Sequence, residues 1–280
     1  MRVSVCGLGA MGKNHLRVCN KLGHLIVSTY DPLNDDDYNK FLSSLSGADA
    51  LIVSSPTRFH TRNIVDALNS NQDLKILCEK PISFSSKDPL ISSLLPFQKN
   101  ILVGQVERFN PVLRALKSTL ESSQERIIQI KTLRVNNVPS RETIDVRKDI
   151  GIHDLDAVVY LLGEYPDEID IMSSGAVNFR DHENLFYTVG KVQVSNEISW
   201  RYPIKNRTIC VLTEVGLYEA HYYNQTIDFT DWSGKKTQLE VIKSEPLQAE
   251  VEYLNKMFVD DVPSCILAEE NIRLLELLGY

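Results

Sequence analysis

The first fifteen residues, MRVSVCGLGAMGKNH (residues 1–15), decide how the rest of the chain is interpreted. The apolar run Val3–Cys6 has the length and composition of a short buried strand. It leads directly into Gly7-x-Gly9-x-x-Gly12 and then into a helical pattern. In a dinucleotide-binding fold the first glycine makes the tight turn, the second lets the pyrophosphate approach, and the third packs the helix on the strand. The stretch therefore predicts a phosphate-binding loop.

The second predicted strand, His24–Tyr30, ends at Asp31. A carboxylate in this place can accept hydrogen bonds from both ribose hydroxyls and would repel a 2′-phosphate. Because Pro32 follows rather than an arginine, the sequence favours NAD over NADP. The alternative is an ordinary glycine turn beside a solvated aspartate. The residues expected at the cofactor in this part of the chain are Gly7, Gly9, Ala10, Met11, Gly12 and Asp31.

The chain changes its pattern after about residue 105. Before this point, short β-branched runs alternate with helical patterns, which indicates a parallel sheet built from βαβ units. Beyond it, predicted strands with alternating polar and apolar residues fill most of 168–242, as in an antiparallel sheet with one covered face. The sequence predicts an N-terminal Rossmann domain (1–105) and a C-terminal α+β domain with an open, mainly antiparallel sheet (106–280). The predicted helices beyond residue 105 are Asn110–Ser122, Asp149–Leu162, Leu247–Phe258 and Ala268–Leu278.

Composition and charge exclude several classes of protein. The formal net charge is −7, from 30 basic and 37 acidic residues, which argues against nucleic-acid binding through a basic face. No apolar run approaches the roughly 20 residues that a membrane span needs, and the N-terminus is not expected to be a signal peptide. The five cysteines are widely spaced and form no CxxC motif, so neither a zinc site nor a disulfide framework is expected. A cytoplasmic protein with a small-molecule substrate fits best.

Six short motifs follow one another along nearly the whole chain. Taken together they resemble the Gfo/Idh/MocA oxidoreductases. The resemblance implies a nucleotide-binding domain and an α/β domain whose open sheet binds substrate and often makes subunit contacts, so a homo-oligomer is expected. The motifs are CGLGAMGKNH (6–15), SSPTRFH (54–60), CEKPI (78–82), VGQVERFNP (103–111), DIGIHDLD (149–156) and AEENIRLLELL (268–278).

The resemblance also implies a catalytic trio of Lys80, Asp149 and His153. On a helix, Asp149 and His153 share one face because they are four residues apart. The imidazole of His153 can take a hydroxyl proton at neutral pH. A lysine ammonium would stabilise the developing alkoxide. The alternatives without a catalytic role are that Asp149 and His153 form an ordinary surface pair and that Lys80 is a solvated charge in a loop. The resemblance places further residues beside the cofactor, namely Ser55, Pro56, Thr57, His60, Glu79 and Lys80, although His15, His24 and His60 also suit structural or exposed roles.

The motif VERFNP bears on the substrate. Asn110 and Pro111 suit a helix start without any function, whereas Arg108 after an apolar strand is harder to explain. In this form the motif resembles the branch of the family that oxidises C3 of UDP-N-acetylated hexosamines or their uronic acids. The expected substrate-binding residues are Lys80, Arg108, Asn110, Asp149 and His153. Arginines that could meet a diphosphate or carboxylate are Arg134, Arg141, Arg147, Arg201 and Arg207, and Lys148 is either a substrate contact or a surface charge.

The span from Asp31 to Pro56 is shorter than the family pattern. It leaves room for one short helix, so a third strand is expected to be missing there and the adenine-side wall to be thinner. Three functions remain open at this point. They are an NAD-dependent sugar-nucleotide dehydrogenase, a dehydrogenase of a free sugar or a cyclitol such as inositol, and a non-catalytic, NAD-sensing regulatory protein.

Overall fold

The chain forms two compact units in the computed structural model, which describes residues 1–34, 36–137, 145–173 and 181–280. The first unit comprises Met1–Val106, Glu245–Glu276 and Tyr280. The second comprises Glu107–Ser244 and Leu277–Gly279. The C-terminal segment therefore lies mostly in the first unit, whereas the sequence pattern assigns it to the second domain. An amphipathic pattern marks a helix but does not say which sheet the helix covers.

Eight α-helices occur in the described residues. Asn110 begins α5 because its side chain accepts the Val112 N–H, and Gly163 ends α6 in the left-handed conformation at φ 73°. Both signals stand in the sequence. The helices are α1 (Ala10–Lys21), α2 (Tyr38–Ser44), α3 (His60–Ser70), α4 (Ile91–Leu94), α5 (Pro111–Ser123), α6 (Ile152–Leu162), α7 (Pro246–Val259) and α8 (Ala268–Leu277).

The first unit is built on a five-stranded parallel sheet in the order β2-β1-β3-β4-β5. Every residue of β3 and β5 is buried, as expected for a parallel sheet covered on both faces. Strand β2 lies at the edge, and among the described residues no further strand pairs with its outer side. The strands are β1 (Arg2–Cys6), β2 (Leu25–Tyr30), β3 (Ala50–Val53), β4 (Lys75–Glu79) and β5 (Ile101–Gly104).

The short span after Asp31 explains that edge. Its described residues form the helix α2 and two short 3-10 turns before the chain enters β3, which pairs with β1 on the side away from β2. Helix α7 packs against β4 and α1, which is why the C-terminal segment joins this unit. The predicted Rossmann-type sheet is confirmed.

The second unit contains an eight-stranded sheet in the order β13-β12-β11-β10-β6-β9-β8-β7. Among the described strands of this sheet, only β6 and β9 pair in parallel, so the predicted mainly antiparallel sheet is confirmed. Strand β13 lies beyond the strands that the sequence predicts. The strands are β6 (Ile127–Asn137), β7 (Asp170–Ser173), β8 (His182–Val189), β9 (Val192–Ser199), β10 (Arg201–Thr213), β11 (Gly216–His221), β12 (Thr226–Asp231) and β13 (Lys236–Leu239).

Helices α5 and α6 contact this second sheet. Along β6 the side chains of Ile130, Thr132 and Arg134 are buried, while Lys131 and Leu133 between them are more accessible. The sheet therefore has one covered and one open face. Within the described ranges, no helix is both long and apolar enough to cross a membrane.

Candidate active site

The three glycines of the predicted phosphate loop meet different surroundings. Gly7 has φ +93°, and a Cβ there would lie 2.4 Å from the Ser55 nitrogen. A Cβ on Gly12 would lie 1.9 Å from the Gly7 carbonyl oxygen. On Gly9 it would meet nothing within 4 Å. Close packing of the fold therefore requires Gly7 and Gly12, whereas Gly9 faces open space, which is the fit expected for an approaching pyrophosphate.

Helix α1 begins directly at this opening. Its N-cap residue is Gly9, which has no side chain to accept the N–H groups of the first turn, and Ala10 and Met11 follow in that turn. Gly9 and Ala10 are exposed and Met11 is half-buried. The N-terminus of a helix carries unsatisfied N–H donors and a partial positive charge. These residues fit the pyrophosphate of a dinucleotide.

Asp31 lies at the end of β2 and contacts the phosphate loop. Its Oδ2 accepts the Leu8 N–H at 2.7 Å, and its Oδ1 accepts the Leu33 N–H at 2.9 Å. The carboxylate thus holds the loop and the following turn in place, a role that the sequence did not reveal. Each carboxylate oxygen has a second acceptor direction, so Asp31 can also accept the ribose hydroxyls for which it was predicted.

The SSPTRFH segment follows β3 at the same sheet edge. Pro56 is exposed and Thr57, which starts a short 3-10 turn, is half-buried. His60 is only 1% exposed. Its Nε2 lies 2.6 Å from the Ser55 carbonyl oxygen and its Nδ1 lies 2.9 Å from the Pro81 carbonyl oxygen. Because both ring nitrogens face backbone carbonyls of the chain, His60 holds two loops together.

Glu79 is the last residue of β4 and stands directly before Lys80. Its Oε1 lies 2.8 Å from Nε2 of His15, a fully buried residue of α1. Burial acts to raise the pKa of Glu79, but the His15 hydrogen bond and the charges of His15, Lys80 and His60 hold that pKa below its ordinary value. The carboxylate is therefore ionised at neutral pH and accepts the His15 N–H.

The turn after Glu79 is also held by helix α8. The Ile82 N–H donates to Oδ1 of Asn271, a residue of α8 that is 1% exposed, at 2.9 Å. The Lys80–Pro81 peptide bond is cis. Lys80 itself is half-buried. Contacts from α1, α3 and α8 thus hold the residues on both sides of the predicted catalytic lysine, through the Glu79 side chain before it and through backbone atoms of Pro81 and Ile82 after it.

Asp149 and His153 stand out from a buried segment. In 146–159 every residue is buried except these two, which are half-buried. Asp149 lies in a π-helical turn (Arg147–Gly151), and His153 is the second residue of α6. Turns of this kind are frequent at functional sites. Their four-residue spacing gives the two side chains one common, accessible face, whereas the surrounding helix is enclosed.

The same segment approaches the sheet closely. A Cβ on Gly151 would lie 2.8 Å from Cδ1 of Ile198 in β9. Arg147 donates to both Glu183 oxygens, at 2.7 and 2.8 Å, and to the Leu278 carbonyl at 2.7 Å. The π-helical turn that carries Asp149 is therefore anchored by a buried ion pair.

Arg108 and Asn110 both have partners within the protein. Arg108 donates to the two oxygens of Asp156, with Nε–Oδ2 at 2.9 Å and Nη2–Oδ1 at 2.7 Å. Burial raises the pKa of Asp156, and Arg108 opposes that shift. Asn110 caps α5 and donates to Oε2 of Glu107 at 3.1 Å. These contacts give both residues structural roles, and their substrate contact stays a prediction.

Most of the predicted anion-binding arginines are paired with carboxylates. Arg134, 1% exposed, donates to Asp154 at 2.8 Å and to Glu107 at 2.9 Å. Arg207 donates to the same Glu107 oxygen at 3.2 Å, and Arg201 donates to Asp181 at 2.9 Å. Arg201 and Arg207 have the more accessible side chains, at 59% and 30%. Lys148 is buried, and Arg141 lies outside the described residues.

No protein-family model matches the sequence. Among curated proteins, the inositol 2-dehydrogenase of Corynebacterium glutamicum is 27% identical over 206 residues, which cover 62% of this chain and 60% of that protein. The chain spans about three-fifths of the length of the curated relatives that it matches, with 57% and 60% for two of them.

Two solved structures share the fold over nearly the whole length of this chain. The UDP-N-acetylglucosamine 3-dehydrogenase GnnA of Acidithiobacillus ferrooxidans superposes with a TM-score of 0.85 at 19% identity, over 99% of this chain and 94% of that one. The chain therefore has the fold of that enzyme. An oxidoreductase from Agrobacterium radiobacter in complex with NAD+, L-tartaric acid and magnesium gives a TM-score of 0.80 at 14% identity, over 99% and 94%. At these identities the likeness is one of fold.

Proposed function

We propose that this chain is an NAD-dependent dehydrogenase that oxidises a hydroxyl group of a sugar or cyclitol to a ketone. One observation carries most of the weight. The carboxyl ends of the parallel strands present the open face of Gly9 after β1, Asp31 after β2 and Lys80 after β4 along a single sheet edge. Ligands of open α/β sheets bind at this edge, so a dinucleotide and a basic residue suited to alkoxide chemistry would meet there.

The preference for NAD over NADP rests on Asp31. The carboxylate follows β2 and holds the phosphate loop through the Leu8 N–H. A 2′-phosphate on the ribose would bring negative charge toward this carboxylate. Pro32 supplies no positive charge in compensation. A neighbour in fold that was solved with NAD+ agrees with this choice.

The reaction divides between three side chains. A bound NAD would supply the hydride acceptor for the carbon that carries the hydroxyl group. His153 accepts the hydroxyl proton as general base, and the carboxylate of Asp149 on the same helical face favours the resulting imidazolium. The Lys80 ammonium stabilises the negative charge that develops on the oxygen. The substrate loses a hydride and a proton, which together are two electrons and two protons, and leaves as a ketone.

We favour a UDP-N-acetylated hexosamine or its uronic acid, oxidised at C3, as the substrate. The VERFNP motif and the likeness in fold to GnnA support this choice. Arg201 and Arg207 keep accessible side chains that suit a diphosphate or carboxylate. The second candidate is inositol, which the curated relative from Corynebacterium glutamicum favours.

We also expect a homo-oligomer. The open face of the eight-stranded sheet includes Phe186, 41% exposed, and Met172, 64% exposed, together with the half-buried Leu133 and Leu217. Exposed apolar surface of this kind marks a contact surface. Size-exclusion chromatography with light scattering measures the assembly directly, and a monomer would contradict the expectation.

A substrate panel tests the function. Purified protein is mixed with NAD and, separately, with UDP-N-acetylglucosamine, its uronic acid and myo-inositol, and the formation of reduced nicotinamide is followed. Turnover confined to the nucleotide sugars would support the first candidate, and turnover confined to myo-inositol the second. Tight NAD binding with no turnover on any compound would replace the dehydrogenase with the NAD-sensing protein.

A further inference from the structure

Two buried histidines bond to the residues that stand directly before and after the predicted catalytic lysine. His15 bonds to the side chain of Glu79, the residue before Lys80, with its Nε2 2.8 Å from Oε1. His60 bonds to the backbone carbonyl of Pro81, the residue after Lys80, with its Nδ1 at 2.9 Å. Both rings are 1% exposed or less. Both histidines do more than pack against apolar side chains, because each makes a polar contact with a residue next to Lys80.

The two histidines come from elements that also form the dinucleotide cradle. His15 belongs to α1, whose N-terminus opens at Gly9. His60 starts α3 and holds the Ser55 carbonyl through its other ring nitrogen, Nε2, at 2.6 Å. His60 therefore contacts both a predicted cofactor loop and the turn that carries Lys80, and His15 joins that turn to the helix that opens at Gly9.

We propose that His15 and His60 are positioning residues that fix the Glu79–Pro81 turn relative to the dinucleotide cradle and so aim Lys80. We rest this on the proposed dehydrogenase function, because aiming matters only if Lys80 acts on a substrate. Neither histidine touches the reacting atoms. Misplacement of a catalytic group by about 1 Å costs on the order of 100-fold in rate, which is the scale of effect that loosened contacts would produce.

The chemistry of each contact suggests its own substitution. His15 donates to an ionised carboxylate, and a glutamine amide could replace that donor. A neutral imidazole donates to one of the two carbonyls that His60 faces, and a protonated ring donates to both. Glutamine could replace one of these donations. Leucine has nearly the same size and can replace none of them, so each histidine has a donor-retaining and a donor-lacking variant.

The kinetic test compares these variants with wild type. We expect His15→Leu and His60→Leu to lower kcat about ten- to hundredfold, while in His15→Leu the KM for NAD changes by less than about threefold. The Gln variants should recover much of the loss. His24→Leu, which replaces a half-buried histidine of the same unit outside these contacts, is the matched control and should keep wild-type kcat. Wild-type kcat in both Leu variants of His15 and His60 would overturn the proposal.

A double-mutant cycle distinguishes an effect of the histidines on the position of Lys80 from a general loss of folded structure. In a Lys80→Ala background, His15→Leu should lower the residual turnover by less than about twofold, because its effect acts through Lys80. An undiminished effect in that background would mean a purely structural role and overturn the proposal. Should the Leu variants fail to fold, the Gln variants enter the same cycle with the same two outcomes.

A substrate-free measurement keeps this test distinct from that of the proposed function. The rate at which an N-hydroxysuccinimide ester acylates Lys80 is measured by peptide mass spectrometry, with the exposed Lys40 as internal reference. We expect Lys80 to react several-fold faster in the His15 and His60 Leu variants than in wild type, because its turn is released. Equal rates would overturn the positioning role even if no substrate is ever found.

Discussion

Arg108 and Asp156 form a buried ion pair in which Arg108 donates to both carboxylate oxygens. The side chains are 11% and 2% exposed. The pair joins the turn Val106–Phe109 to helix α6, and so links two of the motifs by which the chain resembles its family. Arg108 attracts attention in the sequence as a charged residue after an apolar strand. The structure gives that charge a partner within the protein.

Removal of Arg108 is expected to destabilise the protein. The variant Arg108→Met leaves Asp156 buried without its counter-charge, and breaking a buried pair in this way costs about 3–5 kcal/mol in the free energy of unfolding. Arg126→Met, which removes an exposed bridge to Glu214, should cost less than about 1 kcal/mol. Urea denaturation measures both. Unchanged stability in Arg108→Met together with a raised substrate KM would instead make Arg108 a substrate contact.

Two glycine variants should separate binding from folding. Gly12→Ala would place a Cβ 1.9 Å from the Gly7 carbonyl oxygen, so we expect a loss of about 1–3 kcal/mol or more in stability. Gly9→Ala meets no atom within 4 Å and keeps an ordinary φ of −67°. It should change stability by less than about 1 kcal/mol but raise the Kd for NAD at least about tenfold, or about 1.4 kcal/mol. Thermal unfolding and calorimetric titration report the two properties. Unaltered NAD affinity in Gly9→Ala would argue against a pyrophosphate at this loop.

Asp31 should control the choice between NAD and NADP. Replacing it by asparagine removes the negative charge that would face a 2′-phosphate, and close-range charges interact by more than 1 kcal/mol even at a surface-like dielectric. We expect the ratio of the Kd for NADP to that for NAD to fall at least about tenfold. NAD binding should weaken as well, because one of the Leu8 and Leu33 N–H groups loses its acceptor. Asp73→Asn, on an exposed loop, is the control. A wild-type preference for NADP would contradict this account of Asp31.

Stability in acid should depend on Glu107. Burial acts to raise the pKa of Glu107, but Arg134 and Arg207 hold it below its ordinary value. Ionised Glu107 therefore stabilises the fold fully above the unfolded-state pKa of about 4.3, and the contribution is lost as the pH falls through the lower, folded-state pKa. The gap in Tm between wild type and Glu107→Gln should be largest near neutral pH and narrow below about pH 4. The exposed Glu121→Gln should show little gap at any pH. A gap for Glu107→Gln that stays constant into acid would contradict the ion pairing.

Local signals in the sequence account for what could be predicted of the fold. The glycine loop, the cap at Asn110 and the stop at Gly163 act within a few residues of the chain. The missing strand beyond β2 follows from the length of the span after Asp31. Each of these features depends on neighbours in sequence, so periodicity and residue type are enough to find it.

Features that depend on distant partners could not be found in this way. The pairs Arg108–Asp156 and Arg134–Asp154 join residues 48 and 20 positions apart, and the contact between His15 and Glu79 spans 64. No alternation of polar and apolar residues reveals such a pair. The π-helical turn at Asp149 has no residue signature of its own. Helix α7 packs against β4 and α1 of the first unit. Its amphipathic pattern shows that one face is buried but does not specify which sheet it covers.

The most direct test of the central claim is the turnover of Lys80→Ala on whichever substrate wild type oxidises. We expect kcat to fall about 100- to 1,000-fold, the scale of losing one preorganised stabiliser of an oxyanion, while the Kd for NAD changes less than about threefold. The exposed Lys87→Ala is the matched control and should match wild type. A kcat for Lys80→Ala within about twofold of wild type would contradict the account.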